Sequence, residues 1–144
     1  PNNSYIVNES QLIFIDKNIK KIKDLSSNYT FIAIVTNQPQ ISMNKLSFKR
    51  LENINNIIID YCRKSGLYID HIEWCPHHPH SGFLNEISQL KVDCFCRKPK
   101  PGMLLKLSYL RNIDLNSSLF IGDSIRDKLA AISAGCQFLD VVDI

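Results

Sequence analysis

Three cysteines and a histidine in two close pairs form the clearest chemical pattern of this sequence. The four residues, in chain order, are Cys75, His77, Cys94 and Cys96, with sixteen residues between the two pairs. Thiolate sulfur and imidazole nitrogen are the ligands of tetrahedral structural zinc sites. The pattern therefore predicts one structural zinc ion. His78 and His80 are alternative ligands, but a Cys-x-His spacing that matches the Cys-x-Cys spacing favours His77.

A cationic turn, residues 97–101, follows the second pair directly. Arg97 offers a planar fork of donors and Lys98 a point charge, and both groups suit phosphate oxygens. Pro99 and Pro101 stiffen the turn, so that the two charges are held in place. A metal centre joined to such a turn predicts an anion site. The alternative interpretation is that Arg97 and Lys98 are ordinary solvent-exposed surface residues, as isolated Arg-Lys pairs usually are.

Polar residues at the ends of two apolar runs provide a second group of candidates. Thr36 and Asn37 follow the first run, and Asp123 follows the second one after a glycine. A carboxylate at a strand terminus suits a hard cation such as Mg²⁺. The alternatives are that Thr36 and Asn37 start a turn and that Asp123 caps a helix. Asp127 either faces the same site or pairs with its basic neighbours in the sequence.

Alternating apolar runs and amphipathic segments indicate which elements position these residues. Apolar residues at threefold and fourfold spacing predict helices, and unbroken apolar runs predict strands covered on both faces. The predicted helices cover residues 16–27, 45–64, 101–110 and 124–135. The predicted strands cover residues 31–35, 69–74, 118–121 and 138–142. This alternation predicts an α/β fold with a mostly parallel sheet, in which ligands collect at the carboxyl ends of the strands.

Composition is typical of a single ordinary domain. The 144 residues are 44% hydrophobic, which is enough for one core without disulfides. No apolar run approaches the about 20 residues of a membrane span. The net charge of +3 is spread over scattered lysines, so we expect no nucleic-acid partner and no membrane partner. Five cysteines, two of them one residue apart, favour metal ligation in a reducing cytoplasm over disulfides.

Four segments of the sequence together resemble a known family. They are, in chain order, Val35-Thr36-Asn37-Gln38, Cys75-Pro76-His77-His78-Pro79, the run from Cys94 to Leu104, and Ile121-Gly122-Asp123. This order resembles the zinc-containing haloacid-dehalogenase-like (HAD-like) phosphatases over nearly the whole chain. The most similar branch hydrolyses D-glycero-D-manno-heptose 1,7-bisphosphate to the 1-phosphate, in the supply of heptose for lipopolysaccharide. A related branch acts on histidinol phosphate and has a much shorter loop between its zinc-ligand pairs.

The resemblance implies roles for the polar residues of the first strand and of the cationic turn. Thr36 would hydrogen-bond the transferring phosphoryl group, and Asn37 and Gln38 would contact the substrate. Lys98 would neutralise the nucleophile and the phosphoryl oxygens. Arg97 would recognise the distal phosphate of the sugar. The implied substrate is a small sugar phosphate, and the implied protein is a monomer.

The resemblance also implies two metal ions and a fold. Asp123 and the carbonyl group of Ser124 would hold a catalytic Mg²⁺ ion, with Asp127 among the catalytic residues. The four cysteine and histidine side chains would hold a structural Zn²⁺ ion that shapes the substrate loop. The implied fold is a Rossmann-like HAD fold, with helices on both faces of the sheet and a zinc-binding loop as an insert.

One part of the family pattern is missing. The family attacks phosphorus with the first aspartate of an Asp-x-Asp motif on its first strand, and the second aspartate is the general acid and base. These 144 residues contain no Asp-x-Asp. The resemblance therefore predicts a single HAD-like domain over residues 1–144 that lacks the nucleophile strand at its N-terminal side and the family's C-terminal end.

Two interpretations remain open at this stage. The sequence belongs to a working phosphatase, or it is a catalytically incomplete module that binds a sugar phosphate. A third class, a zinc-dependent adaptor for nucleic acid or protein, is disfavoured. Its ligand pairs would form a small independent finger, whereas these pairs are embedded in an α/β pattern.

Overall fold

The computed structural model describes residues 5–144, in which helices and strands alternate. The helices are α1 (Asp16–Ser26), α2 (Phe48–Lys64), α3 (Gly102–Arg111) and α4 (Ile125–Ala134). The strands are β1 (Ala33–Asn37), β2 (His71–Cys75), β3 (Leu119–Gly122) and β4 (Gln137–Asp140). The predicted α/β alternation is confirmed. Across the described range, no helix is both long enough and apolar enough to cross a bilayer.

The helix ends follow local capping chemistry. Ser47 accepts a hydrogen bond from the backbone N–H of Arg50, so α2 begins after Ser47 and not at residue 45 as predicted. The predicted cap of α4 is confirmed, because the Ser124 side chain accepts from the backbone N–H of Asp127. Gly135, at a φ of 87°, ends α4 in the left-handed conformation that glycine adopts without strain.

Two pairs of parallel strands form where the sequence predicts one sheet. β1 pairs with β2, with Ala33 opposite His71, and β3 pairs with β4, with Leu119 opposite Gln137. In the described part of the chain, β1 and β3 do not pair with each other. A strand pair would need the two backbones to lie about 4.8 Å apart. Here the side chain of Lys98 contacts both strands instead.

Helices cover both faces of the β1–β2 pair. On β2, Trp74 packs against a cluster that contains Leu51 and Ile54 of α2. The preceding residue, Glu73, forms an ion pair with Lys106 of α3 at 2.7 Å. Successive residues of a strand point to opposite faces, so α2 and α3 lie on opposite sides of β2.

A second apolar cluster joins α3, α4 and the β3–β4 pair. Its buried members are Leu104, Ala130, Ala131 and Cys136, and Val35, Phe120 and Phe138 pack against it. Because Val35 belongs to β1, this cluster links the two strand pairs through their side chains. The core is therefore shared even though the backbones of the two pairs are not bonded.

The strands are less buried than the sequence predicts. Every residue of β1 remains partly exposed, although the apolar run of residues 31–35 predicts a strand covered on both faces, and every residue of β3 is partly exposed as well. A cavity of about 200 Å³ also lies between β1, β2 and α2, with Ile34 and Ile72 in its lining. The open edges of β1 and β3 account for this exposure, because a strand with no neighbour on one side is shielded less.

Candidate functional site

The metal cluster, which comprises Cys75, His77, Cys94 and Cys96, lies at the end of β2. The Cys75 sulfur is 3.4 Å from that of Cys94 and 3.1 Å from that of Cys96, and the last two sulfurs are 3.0 Å apart. His77 Nδ1 lies 3.5 Å from the Cys75 sulfur and 3.3 Å from the Cys96 sulfur. Two thiolates on one tetrahedral zinc ion stand about 3.8 Å apart. The donor set fits zinc, and the three sulfur atoms lie about 0.4–0.8 Å closer together than they would around the ion.

The three thiols of the cluster differ in acidity. Burial raises the pKa of Cys75, and hydrogen bonds with Cys96 and Cys94 contribute to the same rise. Burial also raises the pKa of Cys96, as does its hydrogen bond to Cys94. Burial acts in the same direction on Cys94, but hydrogen bonds from Cys96, Cys75 and the backbone outweigh it and lower the pKa of Cys94. A metal ion that binds these thiols must displace their protons.

The two alternative histidines lie outside the cluster. The Nδ1 atom of His78 is 3.2 Å from the backbone nitrogen of His80, and the His78 ring packs edge-on against Phe83 at 5.7 Å. All ligand atoms of the metal cluster lie within 4.8 Å of one another, and the imidazole among them is that of His77.

Paired hydrogen bonds attach the cationic turn to the end of β1. The Oδ1 atom of Asn37 accepts from the backbone N–H of Lys98 at 3.0 Å, and its Nδ2 atom donates to the Lys98 carbonyl oxygen at 3.0 Å. The Arg97 guanidinium donates to the carbonyl oxygen of His77 at 3.1 Å. The turn is thus held between β1 and the metal cluster.

Gly102 closes the turn and starts α3. Its backbone N–H donates to the Phe95 carbonyl oxygen at 3.1 Å. A Cβ atom at this position would lie 2.4 Å from that oxygen, a distance that real Cβ atoms do not show. Glycine is required here because a Cβ atom would push on the Phe95 carbonyl group. Phe95 lies between two cysteines of the metal cluster, so such a shift would reach the cluster.

Lys98 connects β1 to α4 through a buried ion pair. Its ammonium lies 2.7 Å from the Val35 carbonyl oxygen, 2.6 Å from Asp127 Oδ1 and 5.5 Å from the centre of the Phe120 ring. The side chains of Lys98 and Asp127 are only 12% and 8% exposed. Ser124 Oγ donates to the second carboxylate oxygen of Asp127 at 2.7 Å. The side chain of Lys98 therefore contacts β1, β3 and α4.

The environment of Asp127 favours its charged form. Burial raises the pKa of this carboxyl group, but the hydrogen bonds from Lys98 and Ser124 and the Lys98 charge outweigh burial. The pKa of Asp127 is therefore lower than its ordinary value, and the carboxylate is ionised at neutral pH. Gly122 makes room for it, because a Cβ atom there would lie 2.5 Å from Asp127 Cβ.

Asp123 lies at the carboxyl end of β3, as predicted, and its side chain is exposed. Within residues 5–144, its carboxylate takes part in no hydrogen bond or ion pair. The neighbouring Ser124 is committed to the α4 cap and to Asp127. The Asp123 carboxylate suits a hard cation. The Ser124 carbonyl oxygen, which the resemblance also implied as a ligand, faces into α4 and accepts from the backbone N–H groups of Asp127 and Lys128 at 3.0 and 3.1 Å.

Thr36 lies on the opposite face of β1 from Asn37. Its Oγ1 atom accepts from Gln38 Nε2 at 3.2 Å, and it shares no hydrogen bond with Lys98 in the described part of the chain. Gln38 in turn contacts Gln40, which is only 4% exposed. The sequence-based reasoning missed Gln40. In the sequence, Gln40 is a polar residue beside the apolar Ile41, and the structure buries the loop that contains both residues.

Comparison with known proteins identifies the family. A profile described as HAD-hydrolase-like matches residues 95–142. A D-glycero-beta-D-manno-heptose-1,7-bisphosphate 7-phosphatase from Vibrio cholerae is 34% identical over 131 residues, which are 91% of this chain and 68% of the relative. The chain belongs to the HAD-like phosphatase family. A second relative with the same name, from Pasteurella multocida, is 35% identical over 130 residues, or 90% of this chain and 68% of the relative.

A solved structure of a HAD-like phosphatase has the same fold. It is the D,D-heptose 1,7-bisphosphate phosphatase from B. bronchiseptica, complexed with magnesium and phosphate, with a TM-score of 0.79 and 26% identity. The match covers 95% of this chain and 70% of that chain. The predicted family and fold class are confirmed. The chain spans about two thirds of the length of the relatives it matches.

Proposed function

We propose that this chain forms the substrate-binding and charge-neutralising part of a Mg²⁺-dependent phosphatase that converts D-glycero-D-manno-heptose 1,7-bisphosphate to the 1-phosphate. The Lys98–Asp127 pair, a buried ammonium held at 2.6 Å from a carboxylate, is the observation that carries the proposal. Phosphoryl transfer depends mainly on positioning and on neutralising negative charge. The relatives named for this substrate support the choice of sugar.

Each polar group around Lys98 has a part in this proposal. Lys98 neutralises charge on the phosphoryl oxygens, and Asp127 holds its ammonium in place. Asn37 fixes the backbone of Lys98 from both sides. Thr36 donates a hydrogen bond to the phosphoryl group, with Gln38 beside it. Arg97, held by the His77 carbonyl, binds the distal phosphate with its remaining donors.

Two metal ions complete the proposal. The four side chains of the metal cluster hold Zn²⁺, which cross-links the end of β2 to the cationic turn. Asp123 holds Mg²⁺, and this ion supplies positive charge for the phosphoryl oxygens. The exposed Asp123 carboxylate and the donor set of the cluster support these assignments.

The attacking carboxylate belongs, in our proposal, to a strand that docks between β1 and β3. These 144 residues contain no Asp-x-Asp. Two observations support the docking place: among the described residues β1 and β3 do not pair with each other, and the residues of both strands are partly exposed. A parallel strand there would meet a backbone edge on each side.

The test is an assay of phosphate release from heptose 1,7-bisphosphate with Mg²⁺ present. We expect no turnover from the chain alone. We expect turnover when an apolar strand that ends in Asp-x-Asp-Gly-Thr is fused ahead of the first residue, and none when Asn-x-Asn replaces that motif. Turnover by the chain alone that Asp123→Ala abolishes would place the nucleophile elsewhere. The same assay with histidinol phosphate tests the alternative substrate.

The second candidate function is a sugar-phosphate binding module without catalysis, which the missing motif favours. It predicts binding of heptose bisphosphate by the chain and no turnover by any fused form. We further propose a cytoplasmic location, supported by five free cysteines in the described residues. The monomeric state and the absence of nucleic-acid and membrane partners stay predictions.

A further inference from the structure

Thr36, Gln38 and Gln40 form a line of hydrogen bonds whose direction is set by a main-chain carbonyl. The Nε2 atom of Gln40 lies 3.1 Å from the carbonyl oxygen of Ile6. A carbonyl oxygen can only accept, so the Gln40 atom that faces it must be the amide nitrogen. This contact decides which way round the Gln40 amide lies.

The direction passes along the line to Thr36. The Gln40 nitrogen also faces Gln38, which must therefore present its oxygen, Oε1, at 2.5 Å. The Gln38 nitrogen is then left to donate to Thr36 Oγ1, at 3.2 Å. Thr36 Oγ1 is thus an acceptor in this line, and its own proton points elsewhere.

The proton of Thr36 has only a weak partner within the described residues. The nearest acceptor is the carbonyl oxygen of Asn37, 3.5 Å from Oγ1, which is at the limit of a hydrogen bond. A phosphoryl oxygen at the carboxyl end of β1 would be a better acceptor because it is charged. The hydroxyl group is therefore poised as a donor before any ligand arrives.

Burial makes this arrangement rigid. Gln40 is 4% exposed, so water cannot easily replace its partners. Its Oε1 atom is buried and has no hydrogen-bond partner in the described structure. Turning the amide over would bring that oxygen against the Ile6 carbonyl and would break both bonds of the nitrogen. A buried acceptor without a hydrogen-bond partner costs free energy. Gln40 Oε1 is such an acceptor, and the amide nitrogen of Gln40 keeps both of its hydrogen bonds in this orientation.

We propose that Gln38 and Gln40 are positioning residues that hold the Thr36 hydroxyl as a donor to the phosphoryl group. The proposal rests on the proposed function, in which Thr36 binds that group. Gln38 then acts through Thr36, and not by touching the substrate as the family resemblance implies. Thr36 binds phosphate more tightly in this line than a freely rotating hydroxyl would, because its donor direction is set in advance.

The test measures binding of inorganic phosphate to the chain by titration calorimetry with Mg²⁺ present. We expect Thr36→Val to weaken binding about tenfold, the loss typical of one hydrogen bond to a charged group. We expect Gln38→Met to weaken it severalfold and the double variant to bind no worse than Thr36→Val. Gln89→Met, at an exposed glutamine, is the matched control and should bind like the wild type.

A second variant guards against a folding defect in Gln38→Met. Gln38→Glu still accepts from Gln40 but cannot donate to Thr36, and thermal melts establish that each variant folds. Wild-type phosphate affinity in either Gln38 variant would contradict the proposal. A double variant whose loss of affinity equals the product of the two single losses would contradict it as well. A wild-type chain that binds no phosphate would overturn the proposed phosphate site itself, which is a separate and recognisable result.

Discussion

The ammonium of Lys98 lies 2.6 Å from the carboxylate of Asp127, and this contact joins the cationic turn to the first turn of α4. Both side chains are about nine-tenths buried. The Lys98 ammonium also reaches the edge of β1 through the Val35 carbonyl oxygen. One ion pair therefore connects the two strand pairs of the fold and places the cation of the proposed phosphate site.

Removing one member of this pair should cost more than removing both. Lys98→Met leaves a buried carboxylate without its cation, and we expect it to lower the free energy of unfolding by about 3–5 kcal/mol. Asp127→Leu leaves the ammonium unpaired and should cost a similar amount. In the double variant the loss should be smaller than the sum of the two. Urea denaturation of the three variants measures the coupling, and strictly additive losses would show that the pair is not coupled.

The stability contributed by Asp127 should depend on pH. Because its pKa is lower in the folded protein than the ordinary value of 3.8, its contribution is complete above that value. It is lost as the pH falls from there through the folded-state pKa, when the carboxylate takes up a proton. The difference in unfolding free energy between wild type and Asp127→Asn should therefore be constant near neutral pH and shrink in acid. A difference that grows in acid would contradict the lowered pKa.

Metal content should depend on the cluster and not on cysteines in general. The purified chain should contain one zinc ion, and Cys94→Ala should lose it because only three ligands remain. Cys62→Ala is the matched control, since Cys62 is a buried cysteine of α2 outside the cluster and should leave metal content unchanged. Elemental analysis by mass spectrometry checks both. Full zinc content in Cys94→Ala would contradict the assignment of Cys94 as a zinc ligand.

Gly102→Ala should weaken metal binding although Gly102 is not a ligand. Its new Cβ atom would have to push away the Phe95 carbonyl oxygen, now 2.4 Å from that position, and Phe95 lies between two ligands. We expect a loss of about 1–3 kcal/mol in stability, as is typical of overpacking, together with a lower zinc affinity in a competition with a chelator. Ser81→Ala, at an exposed position in the same loop, is the control. Unchanged zinc affinity would show that the turn adapts without moving the cluster.

Ser124→Ala should act on both α4 and Asp127. The Ser124 hydroxyl accepts from the Asp127 N–H and donates to its carboxylate at 2.7 Å. Loss of a serine cap costs about 1 kcal/mol, and the lost hydrogen bond should also raise the pKa of Asp127 toward its ordinary value. Thermal unfolding at neutral pH and in acid checks the two effects separately. Ser81→Ala, at an exposed serine outside α4, is the control and should change neither quantity.

The local features of this protein could be predicted because each depends on neighbours within a few residues. The apolar runs and helical spacings predicted all eight elements, and Ser124 and Gly135 marked the ends of α4. The spacing of the cysteines and histidines predicted the group of ligands. The family followed from motif order. The errors in the elements themselves lay at their ends, such as the start of α2, where the Ser47 cap sets the first residue at Phe48 and not at residue 45.

By itself, the sequence determined the elements, the donor types and the family, because backbone geometry and residue chemistry act locally. Only the tertiary structure decided which distant groups meet. It brought the Cys75–His77 pair to the Cys94–Cys96 pair, and it paired Asp127 with Lys98 instead of with its neighbours in the sequence. It also separated β1 from β3 and set the direction of the Gln40–Gln38–Thr36 line. These contacts join segments far apart in the chain, so they depend on how helices pack on strands, which no local pattern encodes.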